Sequence, residues 1–167
     1  DMTGVAMMDC KKALVECDGD IEKALDLLRS NSALKAEKKS SRVAADGILS
    51  TVIAENYATI IEINSETDFA AKDANFLSFV DKVSSYISEN KVTNVDTLKD
   101  SELEDARKSL VQTIGENIQI RRVITSDFDD AMNVGLYLHS DSKLASAVVL
   151  NGGNNDVAKD IAMHVAA

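Results

Sequence analysis

The apolar residues of this chain repeat with a helical period before Gly47 and alternate like a strand just after it. A chain whose period switches from 3.6 to 2 must bury helix stripes and sheet faces together, which makes it an α+β fold. Upstream of the switch, Met7 to Cys17 and Ile21 to Leu28 read as two short helices. In the second, Ile21, Ala24, Leu25 and Leu28 stand at i, i+3, i+4 and i+7. Asp18-Gly19 makes the turn between them, with Asp20 as N-cap. A third helix upstream of Thr3 would complete a three-helix module over residues 1–34, too small to be robust alone. The basic run Lys-Ala-Glu-Lys-Lys-Ser-Ser-Arg at 35–42 reads as a solvated linker, taken here as 35–46.

Downstream, Ile48 to Ile53 and Tyr57 to Asn64 are rich in β-branched residues and flank Ala-Glu-Asn, a hairpin signal. Asn75 to Ile87 turns helical, with Phe76, Phe79, Val80, Val83 and Ile87 on one stripe. Leu103 to Ile114 is a second helix, with Leu103, Ala106, Leu110, Val111 and Ile114 inward. Ile118, Ile120 and Ile124 alternate with Gln119, Arg121 and Val123 in a third strand. These elements define a first subdomain, 47–128. The pattern then restarts. Asn133 to His139 and Ala145 to Leu150 form a hairpin around Ser140-Asp141-Ser142-Lys143. Asp156 to Val165 is a helix with Val157, Ile161 and His164 on one side. The second subdomain, 129–167, is therefore a related but incomplete unit. Its sheet edge and helix face need further residues or a partner to cover them, which leaves room for homodimerisation through this unit. The chain starts at Asp1 without an initiator Met and stops inside a helical pattern, so it is expected to be a fragment.

Composition excludes several classes of function. With 18 Lys+Arg against 28 Asp+Glu, the net charge is −10, and a nucleic-acid binder needs the opposite balance. Aromatic residues make up 4% of the chain and Trp is absent, so a base-stacking surface is not expected either. No apolar run is long enough to span a membrane. His139 and His164 are the only histidines, and no Cys or carboxylate stands near them at metal-ligand spacing. There is no Walker loop, G-x-G-x-x-G or G-x-S-x-G, and the abundant carboxylates single out no acid–base pair. Cys10 and Cys17, seven residues apart on a helix, are about 10 Å apart, too far for a disulfide. With Met7 and Leu14 on the same face, they read as buried thiols of a reducing compartment. These features favour a protein that acts by binding.

Thr67-Asp68-Phe69 stands out as a connection carrying one of four Phe residues. Two readings are open: a hydrophobic staple in which Phe69 pins the following helix, or an exposed aromatic anchor for a partner.

Six blocks, in order, resemble the elongation factor Ts family of translation. They are TGVAMMDCKKAL at 3–14, GDIEKALDLLR at 19–29, VAADG at 43–47, TDFAAKD at 67–73, IGENIQIRR at 114–122 and IAMHVAA at 161–167. The resemblance implies a small ubiquitin-associated-like helical module followed by two related subdomains with antiparallel sheet and packed helices. It implies a guanine-nucleotide exchange factor, acting by binding without covalent chemistry, whose partner is the GTPase elongation factor Tu. Thr67, Asp68, Phe69 and Ala70 match the family's magnesium-dislocating segment, where Val is frequent at the position of Ala70. Met7 and Met8 match contacts with the partner's nucleotide-binding domain. Ile114, Gly115 and Glu116 match a second contact near its nucleotide, and His139 one made by the second subdomain. No cofactor, metal, nucleic acid or membrane is implied for this chain. A bacterial cytoplasm is the expected location, with mitochondrial or plastid origin open. The alternative is a scaffolding subunit that keeps the fold with little exchange activity. The charge is uneven: residues 1–49 carry net −1 and residues 50–167 net −9. Under the resemblance, the acidic part is the one that approaches the partner's nucleotide and Mg²⁺.

Overall fold

A computed structural model describes residues 5–167; the third helix expected upstream of Thr3 lies outside the described residues. Helices α1 (Met7–Glu16) and α2 (Ile21–Lys39) open the chain. Asp20 caps α2 by accepting from the Lys23 backbone N–H at 3.1 Å. Val5, Ala13, Ala24 and Leu28 form a small core between the helices, with Cys10, Cys17 and Leu27 packed partly against it. The thiols are half-buried rather than buried, and no disulfide joins them. Met7, Leu14 and Ile21 face outward. Among the described residues, the α1–α2 contact covers only part of the apolar face.

The linker expected over 35–46 is shorter than that, because α2 continues through Lys39. Its buried residues, Ala24, Leu28, Ser32 and Ala36, recur every four positions. The first two serve the α1–α2 core, while Ala36 belongs to the main core of the chain. One helix thus links both cores. Its last turn carries Lys38 and Lys39, which suit the negative end of the helix dipole.

Strands β1 (Asp46–Ile53), β2 (Tyr57–Ser65) and β3 (Gln119–Asp127) form an antiparallel sheet in the order β1-β2-β3. Between β2 and β3 run a one-turn helix α3 (Asp68–Ala71), then α4 (Ala74–Glu89), a 3-10 turn (Val95–Asp100) and α5 (Glu102–Ile114). All five residues of the α4 stripe are buried, as are Leu103, Leu110 and Val111 of α5. They meet Ile61, Ile63 and Ile118 in the main core. Burying a side chain of this size contributes about 1.5–3 kcal/mol, so this cluster dominates the fold. Tyr57 ties sheet to helix by donating its hydroxyl to the carbonyls of Ile87 (2.8 Å) and Ser88 (3.0 Å).

The expected alternation in β3 breaks. Glu62 pairs with Arg122 and Ile63 with Ile120, so Arg121 is an extra residue at a β-bulge. The bulge flips the phase: Ile120 and Val123 both pack on the core, and Ile124 faces out.

Strands β4 (Met132–Leu138) and β5 (Ala145–Asn151) form a separate two-stranded sheet, covered by α6 (Asn155–Ala166). The face of α6 is not the expected one. Ala158 and Ala162 are buried, while Val157, Ile161 and His164 are exposed. Gly135 explains this: a Cβ there would lie 2.2 Å from the backbone carbon of Ala158. Helix and strand touch backbone to backbone, and only small side chains fit between them.

Candidate functional site

The segment after β2 is held by a reciprocal pair of carboxylates. Glu116 Oε2 accepts the backbone N–H groups of Glu66 and Thr67, each at 3.0 Å, and its Oε1 accepts the Thr67 hydroxyl at 2.7 Å. Glu66 returns the contact, its Oε1 accepting the backbone N–H of Asn117 at 2.6 Å. The Thr67 hydroxyl in turn caps α3, accepting from the Ala70 N–H at 3.2 Å. With the turn fixed, Ala70 and Ala71 point into the fold and Phe69 points out, 81% exposed. Phe69 is therefore not a staple for α4.

Asp68 is paired within its own turn. Lys72 Nζ donates to it at 2.7 Å, and this contact raises the Lys72 ammonium above its ordinary value. The Asp68 charge is thus partly neutralised.

Gly115 aims Glu116. It ends α5 in the left-handed region at φ 86°, its N–H donating to the Val111 carbonyl at 2.9 Å. Lys39 Nζ donates to the Gly115 carbonyl at 2.6 Å, so the last turn of α2 seats on the same loop. Asn117, almost fully buried, donates to the carbonyls of Arg42 (2.7 Å) and Ser40 (3.4 Å). Arg42 also lies 3.5 Å from Glu66. Ile114, half-buried, packs against the main core.

The structure thus brings Thr67–Ala70 together with Gly115 and Glu116, and adds Lys39, Arg42, Glu66 and Asn117, which sequence reasoning missed. Met7 and Met8 lie apart on the first turn of α1, 85% and 63% exposed. His139 sits in the β4–β5 loop. Its Nδ1 is 2.7 Å from the Tyr137 hydroxyl, and its backbone N–H donates to Leu144 at 2.8 Å. A cleft of about 650 Å³ between α2, α4 and α5 shares no residue with the Thr67–Ala70 turn. No group of three or more His, Cys, Asp or Glu residues among those described is arranged to hold a metal ion. No described helix is long and apolar enough to cross a membrane.

Phe69 is thus an exposed aromatic on a capped turn, braced by polar contacts at and near the surface, and exposed aromatics are the side chains that most often anchor interfaces. The family described as Elongation factor TS matches residues 66–167, which include the turn, its Glu116 brace and the second sheet. The chain belongs to that family. It is 50% identical to the elongation factor Ts of Hahella chejuensis, 49% to that of Saccharophagus degradans and 47% to that of Serratia proteamaculans. Each match covers the whole of this chain, which spans 57–58% of the length of those relatives.

Proposed function

We propose that this chain acts in translation as a guanine-nucleotide exchange factor, binding elongation factor Tu–GDP and promoting GDP release by contact alone. Family membership supports this reading, and the exposure of Phe69 on its braced turn is the observation that carries it. In this mechanism Phe69 enters the partner as a wedge, and the Thr67–Ala70 turn disturbs the Mg²⁺ and phosphate environment. Asp68 acts on the ion network after leaving Lys72. Met7 and Met8 anchor the amino-terminal docking module, residues 1–34, on the nucleotide-binding domain. Ile114, Gly115 and His139 hold the distorted partner.

Magnitudes require this division of labour. Burying one Phe contributes about 1.5–3 kcal/mol. A thousandfold faster release needs roughly 4 kcal/mol at ~1.4 kcal/mol per decade. Phe69 alone falls short, so the remaining contacts must supply the difference. The coupling is reciprocal: if the factor weakens the nucleotide, the nucleotide weakens the factor by the same ratio, and GTP can expel it. The bacterial relatives favour a bacterial cytoplasm as the place of action.

The test is stopped-flow release of a fluorescent GDP analogue from elongation factor Tu, with the wild-type chain and with Phe69→Ala. The wild type should accelerate release and Phe69→Ala should lose at least tenfold of that acceleration while still melting cooperatively. A wild-type chain that binds without accelerating release would favour the scaffolding role instead.

A further inference from the structure

We infer that Glu116 is a positioning residue: it holds the Thr67–Ala70 turn in the shape that presents Phe69 and does not act by placing its own charge on the partner. The resemblance makes Glu116 a partner contact, but the structure gives its carboxylate an internal task. Its two oxygens take three hydrogen bonds from Glu66 and Thr67. A carboxylate that accepts several N–H and O–H groups is an effective clamp, because charge-assisted hydrogen bonds are stronger than neutral ones. The Thr67 hydroxyl given to Glu116 also receives the Ala70 N–H. The brace therefore runs from Glu116 through Thr67 to the first turn of α3, one residue from Phe69. The clamp is doubled by Glu66 and Asn117. It is backed by Lys39 on the Gly115 carbonyl, which joins it to the end of α2.

The hydrogen-bond inventory supplies a discriminating substitution. In Glu116→Gln the amide oxygen can still accept both backbone N–H groups. The amide nitrogen can donate to the Thr67 hydroxyl, which retains accepting capacity. Glutamine thus preserves the brace and removes the charge, whereas alanine removes both.

Two readouts separate this inference from the exchange reading on which it rests. The first is amide hydrogen exchange on the free chain, which needs no partner. Glu116→Ala should lose protection at the Glu66, Thr67 and Ala70 N–H groups by about tenfold, equal to ~1.4 kcal/mol. Glu116→Gln should recover most of it, and the α4 core should stay protected in both. The second is accelerated GDP release at saturating factor. Glu116→Ala should lower the maximal rate about tenfold with a smaller change in half-saturating concentration, and Glu116→Gln should restore it to within about threefold. Unchanged protection in Glu116→Ala would overturn the brace. Loss of release in Glu116→Gln equal to that in alanine, with protection retained, would show that the charge acts on the partner. If the wild-type chain does not accelerate release, the exchange reading fails and the protection data alone decide whether the brace exists.

Discussion

Lys143, in the loop joining β4 to β5, grips Asp46 at the start of β1, ninety-seven residues earlier. The same ammonium donates to the Gly47 carbonyl at 2.5 Å, and the neighbouring Ser142 carbonyl accepts the Leu49 N–H at 2.7 Å. The loop of the second sheet is thereby latched onto the free edge of the first. Unpaired strand edges invite unwanted pairing, and here part of that edge is covered from within the chain.

This latch should depend on pH. The Lys143 contact, aided by the Gly47 N–H, holds the Asp46 carboxyl below its ordinary value of 3.8. A carboxyl whose folded pKa is depressed adds stability above its unfolded pKa and loses it as pH falls through the folded one. Protection of the Leu49 N–H should therefore hold at neutral pH and decline below about pH 4. In Asp46→Asn it should be weaker at neutral pH and flatter across the acid range. An identical acid profile in the variant would remove Asp46 as the cause.

Gly135→Ala should destabilise the second sheet by at least about 1–3 kcal/mol, the usual cost of overpacking. Its new Cβ would fall 2.2 Å from the Ala158 backbone carbon, and backbone cannot rotate away as a flexible side chain can. Urea denaturation measures the loss. Hydrogen exchange should place it in β4, β5 and α6 and spare α4. A midpoint equal to wild type would mean that α6 rides higher on β4 than described.

The elements that the sequence revealed are those whose apolar pattern is complete within one segment. The α4 stripe is large and continuous, so Phe76 to Ile87 could be assigned to the core without knowing what lay opposite. The hairpin at Ala54–Asn56 was legible for the same reason. The face of α6 was not, because it depends on Gly135 twenty-three residues away: with backbone contact at Ala158, the larger Val157 and Ile161 must turn outward. The phase of β3 was hidden because a bulge is defined only by its partner strand, here at Glu62 and Ile63. At the candidate site, Phe69 is conspicuous as a scarce aromatic on a connection, yet pattern alone leaves the anchor open and leans toward the staple, which its exposure overturns. What settles its orientation is the Glu116 brace, formed across 49 residues by polar side chains that leave no period in the sequence.

The amino-terminal helices bear on a further prediction, since a docking module over 1–34 suggests removal with little damage to the rest. The structure places that cut inside α2, between Ser32 and Ala36, two members of one buried row. Ser32 bonds the Gln112 side chain of α5, and Gln112 Nε2 donates to Asp9 of α1 at 2.8 Å. Lys35, 3.5 Å from Asp9, reinforces the junction. The Gln112 hydrogen bond and then the Lys35 charge hold the Asp9 carboxyl below its usual range. A chain starting at residue 35 loses Ser32 and Asp9 and retains only the last five residues of α2. Its urea midpoint should fall by the equivalent of about 1–3 kcal/mol, the scale of a few hydrogen bonds. Gln112→Ala, which keeps α2 whole, should lose about 1 kcal/mol. If the shortened chain instead matched the full chain in midpoint, the module would be independent of the core and the Asp9–Gln112–Ser32 junction would carry no net stability.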